Sequence, residues 1–237
     1  MRISIILPLY NEGKILATNF EKIYSYMKKN FKDFQVIMIN DGSTDDTRAI
    51  ATKIAKAGKN VDLIDYNRNQ GKGYAVKQGI LASKGDIVIF CDIDLSTPIE
   101  ETQKLLKYEK KYEIVIGSRA LKMSRIQKRQ KWYRVVLGKM GNKIIQLLLL
   151  PGIKDTQCGF KMFKGKTARS IFRFLTINRW GFDFEMLYLA KKNGAKIKEV
   201  PIDWHDEEDS KLSIKDYITT LLELLKIKWK DLTGKYE

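Results

Sequence analysis

The sequence predicts an α/β protein: a mostly parallel sheet with helices on both faces. Three observations carry this reading. Short, continuous apolar runs alternate with amphipathic stretches, the pattern of strands covered on both sides by helices. Most runs end in a polar cluster, and ligands of such sheets bind beyond the carboxyl ends of the strands. The 237 residues suit one large domain, or one domain with an appendage, and bury enough surface to need no disulfide staples.

Taken in order, residues 3–9 form the first apolar run, closed by Pro8, and Tyr10, Asn11 and Glu12 follow it. An amphipathic stretch then reaches Lys29. Residues 34–39 are the second strand, broken by Asn40-Asp41-Gly42-Ser43. Thr44, Asp45 and Asp46 open a helix reaching about Ala57, since their oxygens accept from unpaired first-turn N–H groups. Residues 61–64 are a third strand, with Asn67 just beyond it. Gly71-Lys72-Gly73 leads into a helix to Ser83. Residues 87–91 are a fourth strand, followed by Asp92, and residues 113–116 a fifth, followed by Ser118 and Arg119. No internal repeat and no Pro/Ser-rich linker interrupts the pattern.

The second half differs. Residues 122–134 are crowded with Lys122, Arg125, Lys128, Arg129, Lys131 and Arg134, interleaved with Trp132 and Tyr133. Residues 135–150 read as an amphipathic helix, and an edge strand precedes the lone histidine, His205. At the C-terminus Ile214, Tyr217, Ile218, Leu221, Leu225 and Trp229 recur at helical spacing. The expected organisation is therefore a domain over residues 1–211, in two halves (1–119 and 120–211), and a C-terminal amphipathic helix over 212–237.

The formal net charge of +16 points to an anionic partner: nucleic acid, acidic membrane or phosphorylated substrate. A nucleic-acid interface predicts basic and exposed aromatic residues across one face. Here acidic residues cluster at the strand ends and would repel a polyanion, so nucleic acid is not the expected partner. A membrane span needs roughly 20 apolar residues. The longest candidate, residues 144–150, is short and contains Gln146, so no span is expected. Met1-Arg2-Ile3 runs straight into a strand, which leaves no signal peptide in the reading. Cys91 and Cys158 fit no zinc spacing and suit a reducing compartment.

Two constellations carry chemistry. Asp92-Ile93-Asp94 follows a buried strand. In an extended segment residues two apart point the same way, so two carboxylates could bind Mg²⁺ or Mn²⁺, with phosphate oxygens and water completing the shell. Its bland alternative is a helix N-cap, a role open to Ser96-Thr97-Pro98 as well. Asp41 could accept from a nucleobase N–H at the same rim, or could serve the Asn-Asp-Gly-Ser turn; residue pattern alone leaves both open.

These residues resemble a known family. Ile5-Ile6-Leu7-Pro8-Leu9-Tyr10-Asn11-Glu12, Asn40-Asp41-Gly42-Ser43-Thr44-Asp45, Asn69-Gln70-Gly71-Lys72-Gly73 and Asp92-Ile93-Asp94 look like the family 2 inverting glycosyltransferases of GT-A fold. Gly117-Ser118-Arg119, Asp155-Thr156-Gln157-Cys158-Gly159-Phe160-Lys161, Arg179-Trp180-Gly181-Phe182-Asp183-Phe184-Glu185 and Ser210-Lys211-Leu212 narrow the resemblance to the dolichyl-phosphate sugar synthases, the glucosyl ones before the mannosyl.

The resemblance implies roles. Pro8, Tyr10, Asn11, Glu12, Asp41, Asn67 and Lys72 would surround the donor, UDP-glucose or next GDP-mannose. Asp92 and Asp94, with Ile93 between them, would hold a divalent metal and the diphosphate. Ser96 stands where the mannosyl enzymes place a metal-binding Gln. Arg119, Arg129, Arg134, Ser210 and Lys211 would meet phosphates, and Trp180, Asp183 and Glu185 would lie near sugar and acceptor. Asp94, Asp155 and Arg119 would be catalytic. A polyprenyl (dolichyl) phosphate acceptor, with a second pKa of roughly 6, is already largely dianionic at neutral pH and needs no general base. Asp155 would be the base for an alcohol acceptor, whether a glycan or glycolipid hydroxyl, and would otherwise orient Lys or Arg side chains. The expected place of work is the cytoplasmic side of an anionic membrane surface, with peripheral attachment.

Overall fold

A computed structural model describes residues 1–126, 132–205 and 214–236, the side chains at 132–137, 139, 214, 215 and 217 excepted. The chain order is β1 Ile3–Leu9, α1 Gly13–Asn30, β2 Phe34–Asp41, α2 Thr47–Ala57, β3 Val61–Tyr66, α3 Lys72–Ala82 and β4 Ile87–Cys91. A 3-10 turn at Ile99–Glu101 leads into α4 Thr102–Leu106 and then β5 Ile114–Ser118. The second half runs β6 Arg125–Ile126, α5 Trp132–Leu148, β7 Phe160–Lys164, α6 Gly165–Arg173, α7 Phe182–Lys192, β8 Ile197–Pro201, β9 Asp203–Trp204 and α8 Ile214–Leu232.

Among the described residues the main sheet has the order β3-β2-β1-β4-β7-β5-β8. All neighbours are parallel except β7, which runs antiparallel between β4 and β5. Successive side chains of a strand point to opposite faces, and the core divides accordingly. Ile5 and Leu7 pack with Leu16, Ile23 and Met27 of α1, while Ile6 joins Val76, Phe172 and Phe184 from α3, α6 and α7 on the other face. Helices cover both faces, as the apolar runs required.

From β1 the chain steps outward to β2 and β3, then returns to β4 on the other side of β1. Such a reversal opens a crevice at the carboxyl ends of the two central strands. That is where the segments after Leu9 and Cys91 lie.

The apolar pattern did not announce β7, α6 or α7. In β7, Lys161 interrupts the run Phe160, Met162, Phe163, yet it is fully buried. Its charge is neutralised by a residue far along the chain, and no local pattern reports that. The expected edge strand is β8, hydrogen-bonded to β5 at the sheet margin. The C-terminal helix contributes Leu224 and Ile227, with Tyr236 beyond it, to the same core cluster as Phe90 and Phe182. No helix among the described residues is long and apolar enough to cross a membrane.

Candidate active site

The turn after β1 is fastened to the turn after β2. The N–H groups of Asn11, Glu12 and Gly13 donate to Ser43 Oγ, Thr47 Oγ1 and Asp45 Oδ2 at 2.9, 2.8 and 3.0 Å. Asn11 Oδ1 accepts from Thr44 N–H at 2.8 Å, and Asn11 adopts φ +55°, a left-handed conformation that Asn tolerates well. Pro8 and Tyr10 stand at this rim, Pro8 half-buried and Tyr10 exposed. Asn67 is exposed and accepts from Arg48 of α2 at 3.2 Å.

Asp41 is buried. Its carboxylate accepts from Asn69 Nδ2 at 2.9 Å, Gln70 N–H at 2.7 Å and Gly71 N–H at 2.8 Å. Asp41 thereby orders the 69–71 segment that leads into α3, a use that neither sequence reading named. Gly71 has φ +105°, and a Cβ there would stand 2.4 Å from the Asn178 carbonyl oxygen. Only glycine lets these two segments approach so closely.

At Asp92-Ile93-Asp94 the extended geometry assumed from the sequence requires correction. Leu95 N–H donates to Asp92 C=O at 3.3 Å, and Leu95 has φ +55°. The chain therefore turns here, and the turn rather than strand alternation brings the carboxylates together. The Ile93 side chain is buried among β4 and α1 residues, and its carbonyl accepts from Asn19 at 3.0 Å. It anchors the turn from behind. Asp94 accepts from Ser96 N–H at 2.8 Å. Burial first, and the charge of Asp92 second, push the Asp94 carboxyl up to about 6. Lys72 Nζ lies 2.7 Å from Asp92 Oδ1, and 5.5 Å from the ring centres of both Phe90 and Trp180.

This arrangement can be tested against a divalent cation. The donor set is two neighbouring carboxylates, hard oxygen ligands of the kind Mg²⁺ and Mn²⁺ prefer. Ionised Asp94 is disfavoured beside Asp92, and a dication relieves that strain. Among the described residues no group of three or more His, Cys, Asp or Glu side chains could hold a metal ion. Ser96 directs its N–H to Asp94. The residues fit a cation whose remaining ligands come with the substrate's phosphates and water.

Across the crevice, β7 sets Gly159 directly against Asp92. A Cβ at Gly159 would stand 2.0 Å from Asp92 Oδ2, so any side chain there displaces the carboxylate. Two ion pairs lie beyond it, Lys161–Asp183 fully inside the protein and Arg119–Asp155 with its arginine partly exposed. Lys161 pairs with Asp183 and also donates to the Cys158 carbonyl. Arg119 chelates Asp155 through Nε at 2.8 Å and Nη2 at 2.9 Å, and its N–H donates to Asp155 Oδ2 at 2.8 Å. Burial opposes both charges, but each holds the other: the Arg119 guanidinium is raised and the Asp155 carboxyl lowered from its ordinary value. Arg119 also lies 5.5 Å over the Trp204 ring. The backbone of His205 donates to Ser96 C=O at 2.8 Å, so its placement supports the turn after Asp94.

The structure thus brings together Lys72, Asp92, Asp94 and Trp180, with Asp183 facing them through Lys161. Glu185 has a different set of partners. It is fully buried, and its carboxylate accepts from the N–H groups of Thr176 and Ile177 and from the Tyr236 hydroxyl. It clamps the base of the 176–181 segment. Arg129, Ser210 and Lys211 lie outside the described residues. Arg134 falls in α5, and its side chain lies outside them too. Sequence reasoning passed over Gly159 and Lys161 as individual residues, although both lie inside a motif it had singled out.

Comparison with known proteins adds the following. A family model described as glycosyl transferase family 2 matches residues 4–172. The chain is 35% identical over 246 residues to the dolichyl-phosphate beta-glucosyltransferase of Dictyostelium discoideum, covering 98% of this chain and 75% of that protein. It is 32% identical over 250 residues to the human protein of that name, covering 99% and 77%. Glucosyl-3-phosphoglycerate synthase from Mycobacterium tuberculosis, solved with Mn²⁺, UDP-glucose and phosphoglyceric acid, superposes with a TM-score of 0.70 at 18% identity, covering 96% of this chain and 79% of that one. Mannosyl-3-phosphoglycerate synthase from Rubrobacter xylanophilus gives 0.69 at 15% identity, covering 99% and 75%. At these identities the structural likeness establishes the fold, the GT-A architecture expected from the sequence.

Proposed function

The chain belongs to glycosyl transferase family 2, and from that premise we propose that it moves glucose from UDP-glucose to a polyprenyl phosphate of the dolichyl type. Transfer proceeds with inversion, at the cytoplasmic face of a membrane. The names of the relatives support the sugar and the lipid acceptor. GDP-mannose is the next donor in order.

One observation carries the choice of acceptor: Asp155 is chelated by Arg119. An alcohol acceptor needs a general base to take its proton. The carboxylate first considered for that task is buried, engaged by three N–H groups and held below its ordinary pKa. A lipid phosphate brings its own negative oxygen and needs no such base. What it needs is a fixed cation, and Asp155 orients one.

Pro8, Tyr10, Asn11 and Glu12 form the nucleoside side of the crevice, with Asp41 and Asn67 shaping its floor through the loops they order. Asp92 and Asp94 hold the metal, and Lys72 stands beside them as a further positive charge toward the donor diphosphate. A bound divalent cation supplies stabilisation of the charge that develops on the departing diphosphate. Trp180 offers an apolar wall to the sugar. Arg119 meets the acceptor phosphate, aided by Arg129, Arg134, Ser210 and Lys211. Asp183 neutralises Lys161 beneath the site.

The test is a labelled-sugar assay offering UDP-glucose and GDP-mannose in turn, with dolichyl phosphate or an alkyl glycoside as acceptor. The expected product is acid-labile, soluble in organic solvent, and formed from UDP-glucose with dolichyl phosphate. Label reaching only the hydroxyl acceptor would overturn the acceptor assignment.

A further inference from the structure

Helix α8 has two apolar faces, and the fold uses one. Leu224 and Ile227 are buried in the core. Ile218, Leu221, Leu222, Leu225, Trp229 and Leu232 are instead between 44% and 76% exposed. At 3.6 residues per turn these positions fall within an arc of about 100°. Isolated exposed apolar residues are ordinary, but a continuous stripe of large ones marks a surface made to be covered.

The charges around the stripe say what covers it. On the same spacing Lys226 and Lys228 flank it on either side. The acidic residues Asp216, Glu223 and Asp231 fall on the other half of the helix. Glu223 accepts from Gly181 N–H at 2.7 Å, and Asp231 pairs with Lys192 at 3.0 Å. Lys235 lies 4.5 Å over the Trp229 ring. The outer face is thus apolar with a basic rim, in a chain of net charge +16.

We infer that this outer face of α8 is a membrane-docking surface, lying in the plane of an anionic lipid bilayer. The inference rests on the lipid-acceptor reading and names the surface through which that reading works. A helix of this character settles roughly 5–10 Å into the boundary between headgroups and acyl chains. Lysines on its flanks meet the anionic headgroups, and a Trp at the boundary is at its preferred depth. A second copy of the chain is a poorer occupant. In a two-fold contact the same patch meets itself, which would set one lysine rim against the other.

The inner face gives docking a consequence. Glu223 holds Gly181, the residue after Trp180, and the Tyr236 hydroxyl bonds to Glu185, which clamps Thr176 and Ile177. The helix on the lipid therefore braces the segment that carries Trp180 beside Lys72.

The test uses the full chain and vesicles of phosphatidylcholine with phosphatidylglycerol. Wild type should co-sediment at low salt. The double variant Leu225→Glu, Trp229→Glu should lose about a hundredfold or more in partitioning, since each inserted apolar side chain contributes on the order of tenfold. Thermal stabilisation by UDP with Mn²⁺ should be the same in both, which keeps the donor site separate from the docking face. Wild type that ignores the vesicles, or a variant that binds them equally, overturns the inference even where glucosyl transfer is intact. A wild-type dimer that the substitutions dissociate, without vesicle binding, assigns the face to self-association and also overturns it. If the double variant does not fold, brominated lipid decides: it should quench wild-type fluorescence more than that of Trp229→Phe, and equal quenching refutes the proposal.

Discussion

Replacing Asp94 by Asn should make the metal-free protein more stable while removing its activity. Each tenfold in proton affinity is worth ~1.36 kcal/mol. The rise of the Asp94 pKa from 3.8 to about 6 therefore makes its ionised form a liability of about 3 kcal/mol, trimmed by solvent at the crevice to about 2 kcal/mol. Asn removes the charge and keeps an oxygen for the Ser96 N–H. In a chain of this size that is a rise in Tm of about 4–8 °C. The pH dependence follows from linkage. Between about 4 and about 6 the folded protein holds a proton at Asp94 that the unfolded chain has released. The liability is thus absent below that window, grows through it and is complete above it. Thermal denaturation in chelator should show a clear advantage for the variant at pH 8 and little at pH 4. Transfer should fall by roughly 10²–10³-fold, the scale for losing one stabilising group at a developing charge. A variant no more stable than wild type at pH 8, or an advantage that ignores pH, would refute the electrostatic account of this site.

Arg119→Lys should lower kcat/KM for dolichyl phosphate by roughly 10–10²-fold, because an ammonium cannot reproduce the two-pronged grip on Asp155; UDP affinity in the presence of Mn²⁺ should not change, and loss of UDP affinity would move Arg119 to the donor side. Lys161→Met should destabilise the fold by about 3–5 kcal/mol, the scale for stranding a buried charge, read as a drop in urea midpoint. Lys161→Met with Asp183→Leu should recover most of that loss, and a double variant as unstable as the single one would show that the ion pair is not the cause.

Much of the donor half was legible along the chain. Strand 34–39, for instance, needed only its unbroken apolar run, and Asp41 at its end announced a rim position. What the chain did not announce depends on neighbours distant in sequence. Asp41 serves Asn69, Gln70 and Gly71, and Glu185 serves Thr176, Ile177 and Tyr236. Both carboxylates are buried and hydrogen-bonded to these segments, partners that no local pattern reports. Asp155 is a third case: it is gripped by Arg119, 36 residues earlier, the partner on which the proposed acceptor rests.

The sequence by itself determined the layered α/β architecture, the sheet edge at which polar clusters gather, and the family to which their wording points. The architecture follows from local chemistry, because apolar periodicity declares which side of an element must leave water; the family rests on the resemblance of the motifs. The tertiary structure alone decided that β7 lies antiparallel against β4, that Lys161 can be buried, and that α8 keeps Leu224 and Ile227 inside while Leu222, Leu225 and Trp229 face out. Periodicity marks a residue as apolar, but which apolar face meets the core depends on what else is there to cover it.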